Sequence, residues 1–521
     1  MIRQPFQYRL IVALAFCLLQ LSTVSVIAQN VKLLQPAPAT TFKFVPAQDG
    51  APGSTMTLQQ LQQGQKKSEE LPEPLKVQAA GEPSPALKYR LYPARWELRP
   101  GSALLHYARA QILSLQMPAE NRDEWHQWLA DENSPTVDEL AAAVASLQHV
   151  FNELHGLAMS EDFTWDHRVR DLRGPGVYMY LLPDVQETRA MMRLLQLKIK
   201  HQLKQRDFDG AISSISDGIR LAEFVGQGET LIQKLVGISI ANIMRDCIQE
   251  AISTPGCPNL YWALACIPQP LMNVSESILW ELSNIHRVLP VLAEAETQNW
   301  TEVEATKKWA SLVADLGAFD SDGLGGGDTS ATVVLAIASV TSVETARERL
   351  LADGIPEERL ASMPTMQIIL LDASRELRRI GDDLGKANLL PVAIAKPLLE
   401  RENTLFQEWV AKYRTSTVGA VIGGLLFPGV QQAREAETRM LMNHNRLMTL
   451  EALRMHAAEH DGELPMSLEE LSPVPAMSDP YTGRAFGYRI ENTDGQRTIV
   501  LTAAGPLNYK PMIELRAVLV K

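Results

Sequence analysis

Apolar residues recur at helical spacing through most of residues 86–415. Between Asp184 and Leu203 they fall at Val185, Met191, Leu194, Leu195, Leu197, Ile199 and Leu203. That three-to-four-residue recurrence is the mark of a helix burying one face. Pro183 suits the first helical position, where a missing N–H costs nothing. Arg206-Asp207-Phe208-Asp209-Gly210-Ala211 then makes a polar turn. A second helix is predicted from Ala211 to Phe224, with Ile212, Ile215, Ile219, Leu221 and Ala222 apolar. Two helices joined by so short a turn form an αα-hairpin. Further helices are predicted at Leu231 to Ala251, Leu260 to Cys266, Val274 to Glu294, Val343 to Leu351, Met366 to Asp383 and Val392 to Tyr413. Pro255-Gly256, Pro268, Pro270, Gly354, Pro356 and Pro364 punctuate them. The run Ala331 to Val343 fits a strand by its β-branched content and a buried helix by its surroundings.

Near the C-terminus the period changes. A helix-compatible run, Gln431 to His460, carries Leu447, Leu450, Leu453 and Ala457 as one apolar stripe. Beyond it, Phe486, Tyr488 and Ile490 alternate with polar residues, as do Thr498, Val500 and Thr502. Alternation of two predicts strands, here joined at an Asp494-Gly495 turn, with Ile513 to Val518 as a third. The expected fold is mainly α, with an irregular helical-hairpin body at 86–415. A small α+β module, a long helix with an antiparallel sheet, is expected at 416–521.

The N-terminal pattern is different again. Arg3 and Arg9 precede an apolar run from Leu10 to Leu21, and Val26-Ile27-Ala28 ends it with small residues. Residues 1–28 therefore read as an export signal cleaved after Ala28. The alternative is an uncleaved membrane anchor, since Leu10 to Ala28 offers about nineteen mostly apolar residues. Residues 29–85 are rich in Pro, Gln, Ala, Gly and Ser without a long apolar period, and read as a disordered linker.

Several motifs in the last ninety residues come in a recognisable order. The helix-compatible run meets Asp461-Gly462-Glu463-Leu464-Pro465. Then come Ser467-Leu468-Glu469-Glu470-Leu471, Asp479-Pro480-Tyr481-Thr482-Gly483 and Phe486-Gly487-Tyr488. This order over 431–521 resembles the C-terminal half of type II secretion pseudopilins. The join from Phe427 to Ala436 is similar to the "LLPAVQAAREA" junction of pilin-like proteins, although its apolar part is too short to span a membrane alone. The resemblance implies an exported, envelope-associated protein. It also points to calcium in the loop before the last strands, here Glu491 to Gly495. The hairpin around Arg206 to Ala211 resembles a tetratricopeptide-like unit, with no 34-residue repeat on either side.

Composition narrows the partners. The chain has 521 residues, 46% apolar and 21% charged, with a formal net charge of −12. Nucleic acid is not expected as a partner, because no basic cluster exceeds two adjacent cations. Cys247, Cys257 and Cys266 remain after signal cleavage, an odd number with no Cys-x-x-Cys spacing, so their pairing is open.

One pattern carries chemistry. His456-Ala457-Ala458-Glu459-His460 fits H-x-x-E-H, in which His456 and His460 could bind zinc and Glu459 could act as general base. The competing reading is structural, since the motif occupies the last turn before Asp461-Gly462. Third-ligand candidates are Glu469, Glu470, Glu491 and Glu514. Asp320 to Asp328 starts like a calcium loop but places Leu324 and Ala331 at ligand positions. Trp125 with Trp128, and Tyr178 with Tyr180, suit packing as well as ligand contact. No G-x-S-x-G elbow is present. No cofactor is expected. The lead expectation is a non-enzymatic envelope scaffold with a protein partner. The alternatives are a zinc hydrolase built on His456, Glu459 and His460, and a component of a secretion or pilus-like assembly.

Overall fold

The computed structural model describes residues 73–129, 135–165, 168–174, 177, 183–320, 343–413, 416–427, 429–493, 496–505 and 514–520. The helical period becomes helices almost throughout. Four short ones come first: α1 (Ala103–Leu115), α2 (Ala119–Leu129), α3 (Val137–Ser146) and α4 (Gln148–Ala158). Long helices α5 (Pro183–Lys204), α6 (Phe208–Gly226) and α7 (Leu231–Ser253) follow. Next are α8 (Tyr261–Ala265), α9 (Ser275–Ser283), α10 (Ile285–Val288), α11 (Pro290–Thr297) and α12 (Glu302–Asp320). The remainder are α13 (Val343–Ala352), α14 (Glu357–Ala361), α15 (Thr365–Lys386), α16 (Val392–Tyr413), α17 (Val418–Leu426) and α18 (Val430–Glu459). The mainly-α expectation holds, with one small sheet near the C-terminus.

The α5–α6 hairpin closes as its turn chemistry predicts. Arg206 adopts a left-handed φ of 58°, and the Asp207 carboxylate accepts the Gly210 N–H at 3.0 Å. This satisfies one of the orphan donors at the start of α6. A Cβ on Gly210 would sit 2.2 Å from Asp207 Oδ2, so a side chain there would displace the capping carboxylate. Ala211, Ile215, Leu221 and Phe224 are fully buried against α5 and α7. The backbones of α6 and α7 approach so closely that a Cβ on Gly237 would meet the Ala222 carbonyl at 2.8 Å.

One predicted helix is broken. The span Val274 to Glu294 divides into α9, α10 and α11. Pro290 explains the second break: it lacks the N–H the helix needs, and its ring excludes the carbonyl four residues back. Leu289 accordingly leaves helical geometry, with φ −119° and ψ 76°.

The sheet runs β1-β6-β5-β4, from β1 (Leu75–Gln78), β4 (Gly487–Thr493), β5 (Gln496–Thr502) and β6 (Glu514–Val520). β4 and β5 form the expected hairpin, their ladder reaching Thr493 opposite Gln496, while Asp494 and Gly495 lie outside the described residues. β1 corrects the linker reading of 29–85. Leu75 to Gln78 lie parallel to β6, in register with Ala517 to Val520. A separate two-stranded pair joins β2 (Arg99–Ser102) to β3 (Ser160–Asp162).

A buried ion pair fastens this sheet to the helices. Glu451 and Arg454, one turn apart on α18, are 0% and 1% exposed and 2.7 Å apart. Arg454 also donates to the carbonyls of Gln78 (2.7 Å) and Cys257 (2.9 Å). Asn259 Nδ2 bridges the carbonyls of Ala80 and Glu451 at 3.1 and 2.8 Å. Thus β1, the α7–α8 connection and α18 meet at one satisfied polar cluster inside a continuous apolar core. Loss of either charge would strand the other, at roughly 3–5 kcal/mol. Cys247, Cys257 and Cys266 are free thiols, and burial pushes Cys257 up to about 12. Among the described residues no helix is long and apolar enough to cross a membrane.

Candidate functional site

The H-x-x-E-H residues fall where the sequence places them, in the last turn of α18. The chain leaves that turn through left-handed Asp461 and Gly462, with φ of 53° and 85°. The Gly462 N–H returns to the Ala457 carbonyl at 2.7 Å, closing the helix end. The His456 and His460 rings stack face to face, 3.9 Å between centroids and 12° from parallel. His460 Nδ1 donates to the His456 carbonyl at 2.8 Å. Burial, and then the adjacent His460, holds His456 below the ordinary histidine value. Glu459 is exposed.

Zinc requires nitrogens converging on one point about 2.0–2.1 Å from each. Stacked rings set their nitrogens side by side instead. Three of the four carboxylates nominated as third ligand are engaged elsewhere, and Glu469 is exposed. Glu470 accepts the Met466 N–H at 2.9 Å. Glu514 accepts from Arg489 at 2.9 Å and Arg516 at 3.2 Å. Glu491 lies between Arg516 and Arg489, which hold its carboxyl below the usual range. Among the described residues no three metal-ligating side chains come together. Glu491's two arginines also occupy the carboxylate that the calcium reading needs. Residues 321–328 of the other calcium candidate, and Tyr178 with Tyr180, lie outside the described residues. Trp125 and Trp128 are buried core residues of α2.

The module motifs act as fasteners. Asp479 is 2% exposed and accepts the backbone N–H groups of Tyr481 (2.9 Å) and Ala504 (2.7 Å). Its loop thereby ties the end of β5 to α18. Tyr481 donates to Glu435 on α18, and Tyr488 donates to the Pro465 carbonyl at 3.0 Å.

The surface that stands out is on α16. Of its 22 residues only Ala395 and Phe406 are buried. The inner side rests on the glycines of α17: a Cβ on Gly423 would meet the Trp409 ring at 2.9 Å, and one on Gly424 would meet Val410 at 3.0 Å. Trp409 Nε1 donates to Glu376 of α15 at 2.9 Å. The outer side carries Ile394 (64% exposed), Leu398 (38%) and Leu405 (46%), and Leu389 (65%) and Leu390 (38%) stand just ahead of the helix. Spacings of four and seven place Ile394, Leu398 and Leu405 on one stripe. Exposed Arg401, Glu408 and Lys412, with half-buried Glu402, flank it with balanced charge. The sequence predicts this helix but gives no sign of which apolar side is left open, because both sides are apolar. No protein-family model, curated protein or solved structure matches this chain.

Proposed function

We propose that this protein is an exported, envelope-associated, non-enzymatic interaction protein, and that it holds an apolar-faced helix of a partner protein along α16. The observation that carries the reading is the exposed stripe of Leu389, Leu390, Ile394, Leu398 and Leu405. Exposed apolar residues gathered along one stripe mark an interaction surface. Its i, i+4, i+11 spacing fits a helix laid along it. A lipid-surface helix would carry excess Lys and Arg beside its apolar face. Here the flanking charges balance and the chain carries −12, which favours a protein over an anionic membrane. Export and envelope association rest on the N-terminal pattern and the pseudopilin resemblance of 431–521. An uncleaved N-terminal segment would supply membrane attachment.

The test places a photo-crosslinking residue at Ile394, Leu405 or, as control, exposed Glu357 in the source cell's envelope. The reading expects one protein adduct common to 394 and 405, absent at 357, and lost with Leu398→Asp. The crosslinked partner peptide should be an amphipathic helix. Adducts to lipid alone, adducts to a second copy of this chain, or none at equal abundance would each overturn it.

A further inference from the structure

A cavity of about 50 Å³ lies between α7 and α18, closed by Ile219 of α6 and Leu264 of α8. A single ion fits that space, and an organic ligand does not. Its lining brings together three donors of one chemical kind. Met440 and His444 come from α18 and Met244 from α7.

Helix geometry sets the first two side by side. Met440 and His444 are four residues apart, so their side chains share one face of α18. Met244 arrives from α7, which packs against α18. Met244 is fully buried and Met440 is 8% exposed. The Met244 sulfur rests on Gly218 of α6, beside the cavity's Ile219, in space that a Cβ on Gly218 would fill. His444 is half-buried, and its ring makes no hydrogen bond among the described residues. Burial pushes His444 down to about 4, so at pH 7 the imidazole is neutral and keeps a lone pair for a metal.

Charge and softness decide which metal. Among the described residues no carboxylate or thiol lines the cavity. Arg245 at its edge is committed to Asp246, at 2.7 and 3.1 Å, and to the Asn242 side chain at 3.1 Å. A divalent ion would be buried here without an anionic ligand, at a desolvation cost that rises steeply with charge. A monovalent ion carries a much smaller cost. Zinc draws on thiolate, imidazole and carboxylate, and no such trio is present among the described residues. Thioether and imidazole together suit soft monovalent copper.

We infer that this cavity binds a monovalent copper ion, with the Met440 and Met244 thioethers and the His444 imidazole as ligands. The inference does not depend on the α16 surface.

The test titrates the full chain with monovalent copper, without oxygen, against the chromogenic chelator bicinchoninate. Copper held against the chelator is expected, with both nitrogen and sulfur neighbours in its X-ray absorption spectrum. Met440→Leu and Met244→Leu nearly conserve volume, so thermal melting should stay close to wild type. Each should weaken copper retention about tenfold or more, and His444→Gln should remove the nitrogen signal. No copper retained, retention unaffected by both leucine substitutions, or sulfur neighbours without nitrogen would overturn the assignment. Displacement of the copper by excess zinc would overturn it as well.

Discussion

α15 and α16 are consecutive helices of 22 residues each, and both are rich in apolar side chains. Twelve residues of α15 are buried, against two of α16. The difference lies in the neighbours. α15 is enclosed by α9, α11, α12, α13, α16 and α17. α16 leans on α15, α17, α18 and the turn at 387–389, and its Lys396 lies 5.7 Å from the centre of the Tyr481 ring. Even the charges of α15 are drawn inward: Arg349 of α13 clasps Asp372 through two hydrogen bonds, and the Trp409 indole N–H reaches Glu376. Apolar content therefore does not decide burial here. What surrounds a helix decides it, and an apolar helix left half-surrounded keeps an exposed apolar face.

The comparison can be broken most severely in α15. Leu370 is fully buried, so Leu370→Ala should cost about 2–5 kcal/mol, read from urea unfolding. Ile394→Ala on α16 should stay within about 0.5 kcal/mol in the same assay. If the two substitutions cost the same, the outer face of α16 is packed rather than open.

A smaller effect tests how α16 is held. Gly423→Ala would push a methyl group to 2.9 Å from the Trp409 ring, and should cost about 1–3 kcal/mol through overpacking. Limited proteolysis should then cut within 392–413 before it cuts α15. Wild-type cleavage kinetics would show that the glycine contact does not hold the helix.

The third effect is smaller and opposite in sign. Burial raises the Glu376 carboxyl above the usual range, against the opposing Trp409 N–H and Arg349. The folded chain thus holds this proton more tightly than the unfolded chain does. This site's contribution to stability is full below the unfolded carboxylate value and falls as pH rises through the raised folded value. Glu376→Gln keeps an acceptor for Trp409 and removes the buried charge. It should add up to about 1 kcal/mol at pH 7 and progressively less in acid. A variant less stable than wild type at pH 7 would mean the carboxylate is better paired than its burial implies.

Much of the local structure is legible from neighbouring residues. The Arg206–Asp207 turn, the ends of α7 and α16 and the β4–β5 hairpin all lie close to their predicted bounds. Patterns there are long enough to repeat, or a turn residue marks the boundary. β1 escapes because four residues carry no period, and its partner β6 is near the other end of the chain. The ion pairs Arg220–Glu223, Arg434–Glu437 and Glu451–Arg454 read as ordinary solvated helix pairs at a spacing of three. Folding buries them, because charge spacing reports a shared helix face but not what that face meets. His456 and His460 teach the same lesson: spacing sets them side by side, while metal binding needs a third group from elsewhere in the fold.

By itself, then, the sequence determines the elements: helix periods, caps, turn glycines, and the change of period that introduces the sheet. Those follow from interactions within a few residues of chain. The tertiary structure alone decides that residues 75–78 complete the sheet, that Glu451 and Arg454 seal its junction with the helices, and that α16 keeps an open face. Each of these depends on which distant surface arrives, and burial, unlike helix formation, is a property of pairs of segments.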